Sequence, residues 1–103
     1  MVTCLLKYEL KAGQEPAFEV YGRKWITLIT RFGGQHLGYF MPSEGASDEA
    51  YALFTFPSLA EYEVYRQQSA QDEACTALFK ELPTLIHRYD RMFLRPVTEG
   101  LEV

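Results

Sequence analysis

Hydrophobic and polar positions alternate from Val2 to Leu10, with Val2, Cys4, Leu6, Tyr8 and Leu10 on one face and Thr3, Leu5, Lys7 and Glu9 on the other. A period of two marks a strand, so the chain is predicted to open with one. Ala12-Gly13 interrupts the alternation, and Pro16 suits the first turn of a helix, where a missing N–H leaves no intrahelical bond unmade. Phe18, Tyr21, Trp25, Leu28, Ile29 and Phe32 then recur at steps of three and four. That spacing places them on one stripe of a helix stopped by Gly33-Gly34, with Glu19, Arg23, Lys24, Thr27 and Arg31 on the solvated side.

The pattern continues with a second strand, Gln35 to Met41, ended by Pro42, and a small polar loop from Ser43 to Asp48. A third strand runs from Ala50 to Phe56, with Ala50, Ala52, Phe54 and Phe56 on one side and Tyr51, Leu53 and Thr55 on the other; neither side carries charge. Ser58 and Glu61 form a capping-box pattern that starts a second helix, whose apolar stripe is Leu59, Tyr62, Tyr65 and Val64. A break near Ser69 to Asp72 lets Asp72 cap a further helical piece, anchored by Leu78, Phe79 and Leu82 ahead of Pro83. Ile86 to Arg95 alternates again up to Pro96, and Thr98 to Val103 reads as a tail.

Strand, helix, strand, strand, helix with an extra turn, strand is the β-α-β-β-α-β order of an α+β, ferredoxin-like fold: four antiparallel strands with the helices on one side, in one domain spanning residues 1–103. Helices on one side leave the other face of the sheet bare. The third strand is apolar on both sides, and Leu5 and Leu53 add to the uncovered face. At roughly 25 cal/mol per Å2, leaving such a face in water forfeits several kcal/mol. A second copy packing sheet against sheet is the simplest cover, since two-fold homodimers are the commonest closed oligomers. The alternative is a monomer that offers this face to a ligand or another protein.

Composition sharpens the picture. A content of 48% hydrophobic and 23% charged residues excludes a disordered or fibrous chain. A domain of 103 residues buries only about 60–65% of its unfolded surface, so it gains from a partner. The aromatic share is 15%, and each ring brings a large apolar area to a core or interface. A net charge of −4 argues against nucleic acid as a partner. Cys4 and Cys75 are far apart and form no C-x-x-C pair, so reduced, buried thiols are expected. The first residues turn charged at Lys7 with no basic segment or apolar run of signal length, and no stretch approaches a membrane span; a soluble cytoplasmic protein is expected.

The residues His36-Leu37-Gly38-Tyr39-Phe40-Met41-Pro42-Ser43-Glu44-Gly45, then Ala52 to Phe56, Ser58 to Arg66 and Tyr89-Asp90-Arg91-Met92-Phe93-Leu94-Arg95-Pro96, resemble bacterial proteins of the NIPSNAP family over almost the whole chain. Asp90 stands where that resemblance leads one to expect Glu, and His87-Arg88 replaces a more apolar or small pair. The resemblance implies the dimeric α/β-barrel superfamily, in which two sheets pair into a barrel. It implies no particular reaction: the family has none generally agreed, and the superfamily includes cofactor-free monooxygenases, haem-degrading enzymes, isomerases and dehydratases.

Five residues are candidates for ligand contact. His36 could act as general base or acid in a barrel cavity, or simply hold the strand entrance beside the glycine pair. Tyr39 and Tyr51, with Tyr89 beside them, could stack on an aromatic molecule and donate a phenolic hydrogen bond, or fill core and interface. Arg88 and Asp90 share one strand face, opposite Tyr89, Arg91, Phe93 and Arg95; Arg88 with Asp90, or Lys7 and Glu9 across the sheet, would satisfy buried charge without a substrate, and a structural ion pair is favoured over a catalytic one. His87 reads as a surface histidine. The two histidines lack a third ligand at metal-binding spacing, and Ser43 lacks a nucleophile elbow, so neither a metal nor a cofactor is expected. The leading expectation is therefore a dimeric module that binds a small apolar molecule or serves in assembly. The alternative is a cofactor-independent monooxygenase or isomerase acting on a small aromatic or carbonyl substrate. That enzyme would need a cavity of at least about 300 Å3 on which His36 and a Tyr or Arg converge.

Overall fold

The computed structural model describes residues 1–97, so the expected tail from Thr98 lies outside the described residues. Four strands, β1 (Val2–Leu10), β2 (Gln35–Phe40), β3 (Glu49–Phe56) and β4 (Ile86–Leu94), form one antiparallel sheet in the order β2-β3-β1-β4. Helices α1 (Glu15–Arg31), α2 (Leu59–Ala70) and α3 (Glu73–Phe79), with a 3-10 turn over Leu82–Thr84, complete the ferredoxin-like α+β fold. The strand edges differ slightly from the pattern: β2 stops at Phe40 rather than Met41, β3 begins at Glu49 rather than Ala50, and β4 ends at Leu94 rather than Arg95. Glu49 joins because Glu9 pairs opposite it in the β1–β3 register, a backbone match that side-chain polarity does not reveal.

Burial follows the alternation. Cys4, Leu6, Tyr8 and Leu10 of β1 meet Ala50, Ala52, Phe54 and Phe56 of β3 under the helices, and Phe18, Tyr21, Trp25, Leu28 and Ile29 of α1 pack onto them. The alanines on β3 give the aromatic rings of neighbouring elements room to approach the sheet. Gly33, at φ +88°, takes the left-handed conformation that ends α1 at low steric cost.

Leu59, Val64 and Phe79 depart from expectation. Expected in the apolar stripes, they are about half exposed. Leu59 is the first residue of α2 and Phe79 the last of α3, so each projects past the layer that would cover it, and Tyr62 and Tyr65 carry the buried stripe of α2 without Val64.

Ser58 caps α2 by accepting the Glu61 N–H at 3.2 Å, and Asp72 caps α3 by accepting the Cys75 N–H at 3.0 Å. Replacing Ser58 with alanine leaves an N-terminal donor of α2 without its protein partner. We expect a loss of about 1 kcal/mol in the urea unfolding free energy with an unchanged m-value.

The bare face of the sheet is divided rather than uniformly apolar. At one end lie Leu5, Leu53, Met92 and Leu94, with Met92 55% exposed; Phe40, 51% exposed, pairs with Tyr51 in the row of Lys7 and Asp90. At the other end Lys7 reaches Glu49 at 3.9 Å and Arg88 reaches Asp90 at 2.8 Å. The expectation of a sheet apolar on both faces holds for half of this one. Extending β3 to Glu49 and pairing it beside Lys7 and Glu9 supplies the charge at the other end. Among the described residues no helix is long and apolar enough to cross a membrane.

Candidate functional site

A cavity of about 90 Å3 lies between the helices and the inner face of the sheet. Its wall holds Tyr8 from β1, Tyr21 from α1, Tyr39 from β2, Tyr62 and Tyr65 from α2, and Tyr89 from β4, which are six of the seven tyrosines in the chain. Each arrives by the periodicity of its element. Tyr8 and Tyr89 are cross-strand partners, Tyr39 lies opposite Ala52, and Tyr62 and Tyr65 are three apart on one helical face. Trp25, the only tryptophan, closes the α1 side. Gly22 lets the Tyr39 ring lie against α1, because a Cβ there would stand 2.8 Å from Tyr39 Cγ.

The rings form a connected cluster. Tyr8 and Tyr39 are 6.3 Å apart and stacked, Tyr8 and Tyr89 are 5.9 Å apart, and Tyr21 meets Trp25 edge-on at 6.3 Å. Burial pushes the phenols of Tyr8, Tyr21, Tyr39, Tyr62 and Tyr65 above the usual tyrosine range, so each stays protonated at neutral pH. Among the described residues the only fully enclosed side-chain polar atom without a hydrogen-bond partner is His36 Nε2. The phenol oxygens are therefore each hydrogen-bonded or in contact with open space.

Arg66 of α2 and Arg91 of β4 stand at the exposed rim of the cavity. Arg66 donates to the Tyr62 hydroxyl at 3.1 Å and lies 5.9 Å from that ring; Arg91 lies 5.8 Å from the Tyr89 ring. Burial raises the pKa of the Tyr62 hydroxyl and the Cys4 thiol, and the positive charges of Arg66 and Arg91 offset part of that rise at both. Among the described residues no carboxylate lines the cavity.

The sheet separates the five candidate residues. Tyr39 is on the cavity wall. His36 is behind it, stacked on the Tyr39 ring at 5.1 Å and 17°, and does not line the cavity. Its Nδ1 accepts the Gly38 N–H at 2.8 Å across the bulge in β2, which leaves the proton of the neutral ring on Nε2. Burial lowers its pKa to about 4. Tyr51, Arg88 and Asp90 are on the opposite face, where the Tyr51 hydroxyl donates to Glu49 at 2.9 Å and Arg88 grips Asp90 through both carboxylate oxygens. Cys4 and Cys75 are buried and free, and burial pushes the Cys75 thiol up to about 11. Among the described residues no three His, Cys, Asp or Glu side chains come together as metal ligands.

Arg66, Arg91, Tyr8, Tyr21, Tyr62 and Tyr65 escape a reading by periodicity, because an aromatic stripe looks the same whether or not the packed layers leave a hole. The available signal was chemical. Tyrosine rather than phenylalanine recurs at core positions on both helices and strands, with arginine four places after Tyr62 and two after Tyr89.

A family model described as NIPSNAP matches residues 4–99. The fold is similar to that of an uncharacterized NIPSNAP domain protein from Burkholderia xenovorans, with a TM-score of 0.81 and 18% identity over 94% of this chain and 95% of that one. It is similar also to a NIPSNAP family protein of unknown function from Agrobacterium tumefaciens, with a TM-score of 0.82 and 23% identity over 93% and 87% of the two chains. A putative antibiotic biosynthesis monooxygenase from Nitrosomonas europaea shares the fold at a TM-score of 0.74 and 8% identity, over 94% of this chain and 99% of that one. No curated protein matches the chain.

Proposed function

The chain belongs to the NIPSNAP family, and from that premise we propose that it works as a homodimeric module whose subunits each hold one small, mostly apolar molecule in the tyrosine-lined cavity without transforming it. The observation that carries this reading is the gathering of six tyrosines and the tryptophan around one internal space. A core built only for stability would gain more from phenylalanine, which has no hydroxyl to desolvate. Binding is favoured over acid–base catalysis because among the described residues the wall holds no His, Asp or Glu, and because the space falls well short of 300 Å3 with His36 off its surface.

The dimer is supported by the partly exposed apolar patch of Leu5, Leu53, Met92 and Leu94, neighbours in the strand register on one sheet face. Pairing two such faces would leave the helix-side cavities of both subunits free.

Native mass spectrometry of the freshly purified chain tests both parts. We expect a species of twice the 11.9 kDa chain mass carrying a small organic molecule. Leu53→Glu combined with Met92→Glu should shift the assembly to monomers at low micromolar concentration, since each places a charge in the paired faces. A folded wild-type monomer with nothing bound, and with no affinity for any small aromatic compound, would overturn the proposal.

A further inference from the structure

We infer that the ligand of the cavity is a single-ring aromatic carboxylate, its ring held among the tyrosines and Trp25 and its carboxylate paired with Arg66 and Arg91 at the rim. This rests on the binding reading above and names the class of molecule it takes.

Size sets the first limit. A water needs roughly 10–15 Å3 of such space, so the cavity of about 90 Å3 accommodates roughly six to nine small groups, the scale of one substituted ring and not of a fused system. Shape sets the second. The walls are ring faces and edges from Tyr8, Tyr39, Tyr89, Tyr21 and Trp25, which favour a flat, polarisable guest.

Charge sets the third, and it is the most selective. The lining residues with polar side-chain groups are the six tyrosines, Ser69, Trp25 and the two arginines. The hydroxyls can donate, the guanidiniums can only donate, and among the described residues no carboxylate lines the site to compete for them. The ion pairs among the described residues use Lys7, Arg23, Arg31 and Arg88, and leave Arg66 and Arg91 without an acidic partner. In a chain of net charge −4, two arginines on the rim of one cavity, without an acidic partner among the described residues, make an anion site by elementary electrostatics. A carboxylate on a ring puts the negative group at the rim while the apolar part stays inside.

Benzoate and its neutral isostere benzamide provide the test on the full-length chain. Emission of Trp25, the sole tryptophan, reports occupancy, and saturation-transfer NMR reports binding that leaves emission unchanged. We expect benzoate to bind at least about tenfold more tightly than benzamide, the discrimination a charged hydrogen bond supplies. Arg66→Gln with Arg91→Gln should remove that preference, benzoate then binding no more tightly than benzamide; both positions are exposed, and thermal melting checks that the fold is kept. Arg66→Lys with Arg91→Lys should retain part of the preference. If benzamide binds as well as benzoate, or the glutamine variant keeps full benzoate affinity, the carboxylate inference falls and the binding proposal stands. If neither compound binds by either measurement, the carboxylate inference falls, and the binding proposal falls with it when the purified chain also carries no bound molecule.

Discussion

Replacing Phe18 with alanine is expected to destabilise the protein by about 3–5 kcal/mol and to open the tyrosine cavity at the same time. Phe18 is 0% exposed, and its ring lies 4.8 Å from Tyr8, 5.6 Å from Tyr21 and 5.8 Å from Tyr39. It is thus a common backing for three of the wall tyrosines. Removing the ring costs its transfer free energy plus the void left behind, and this void adjoins an existing one, so the neighbours have little reason to collapse into it. Urea denaturation at neutral pH measures the first effect, as a lower midpoint with a similar m-value. The second should appear as a shift in guest preference: a ring one or two carbons larger than the best wild-type guest should bind the variant better. A loss below about 1 kcal/mol would mean that α1 shifts to refill the site, and the cavity walls would then be far more pliant than their packing indicates.

Phe18 also shows where sequence pattern carries the structure and where it stops. Its place on the α1 stripe follows from the spacing through Tyr21, Trp25, Leu28 and Ile29, and the element order leads from there to the sheet. What it touches depends on register. Tyr89 faces the helices because it pairs with Tyr8, and Arg88 and Asp90 face away because the β1–β4 register carries Glu9 and Lys7 opposite them. The alternation in β4 separates those two sets without saying which is inside. Strand bulges add a further step: one sets Ile86 opposite Leu10 and leaves His87 exposed, and another in β2 leaves Leu37 unpaired between His36 and Gly38. Neither bulge has a signature in hydropathy. The cavity is less legible still, being a shortfall of volume between layers that each look well formed alone.

Acid should weaken the fold through His36 over a defined window. In the unfolded chain this imidazole takes up a proton near its ordinary pKa of 6.5, whereas in the folded protein burial lowers that value to about 4. Between these values the unfolded state binds more protons, so stability falls as pH drops from about 6.5 to about 4; above the window both states are neutral, and below it the loss is complete. Because the ring is only half-buried, solvent screening reduces the effect to on the order of 1–2 kcal/mol. The geometry supplies the physical reason: protonating Nδ1 would set a second donor against the Gly38 N–H, which it now accepts at 2.8 Å. Urea titrations of the wild type and of His36→Gln at pH 7.5 and pH 4.5 isolate this contribution, since the carboxylates titrate in both proteins and cancel in the difference. The wild-type advantage should shrink by that amount at the lower pH, and a difference independent of pH would refute the assignment. His36 is stacked on Tyr39, so its protonation in the folded protein, which becomes substantial only near pH 4 and below, would also disturb a wall of the cavity; between pH 7.5 and pH 4.5 the affinity for a neutral guest such as benzamide should therefore change little.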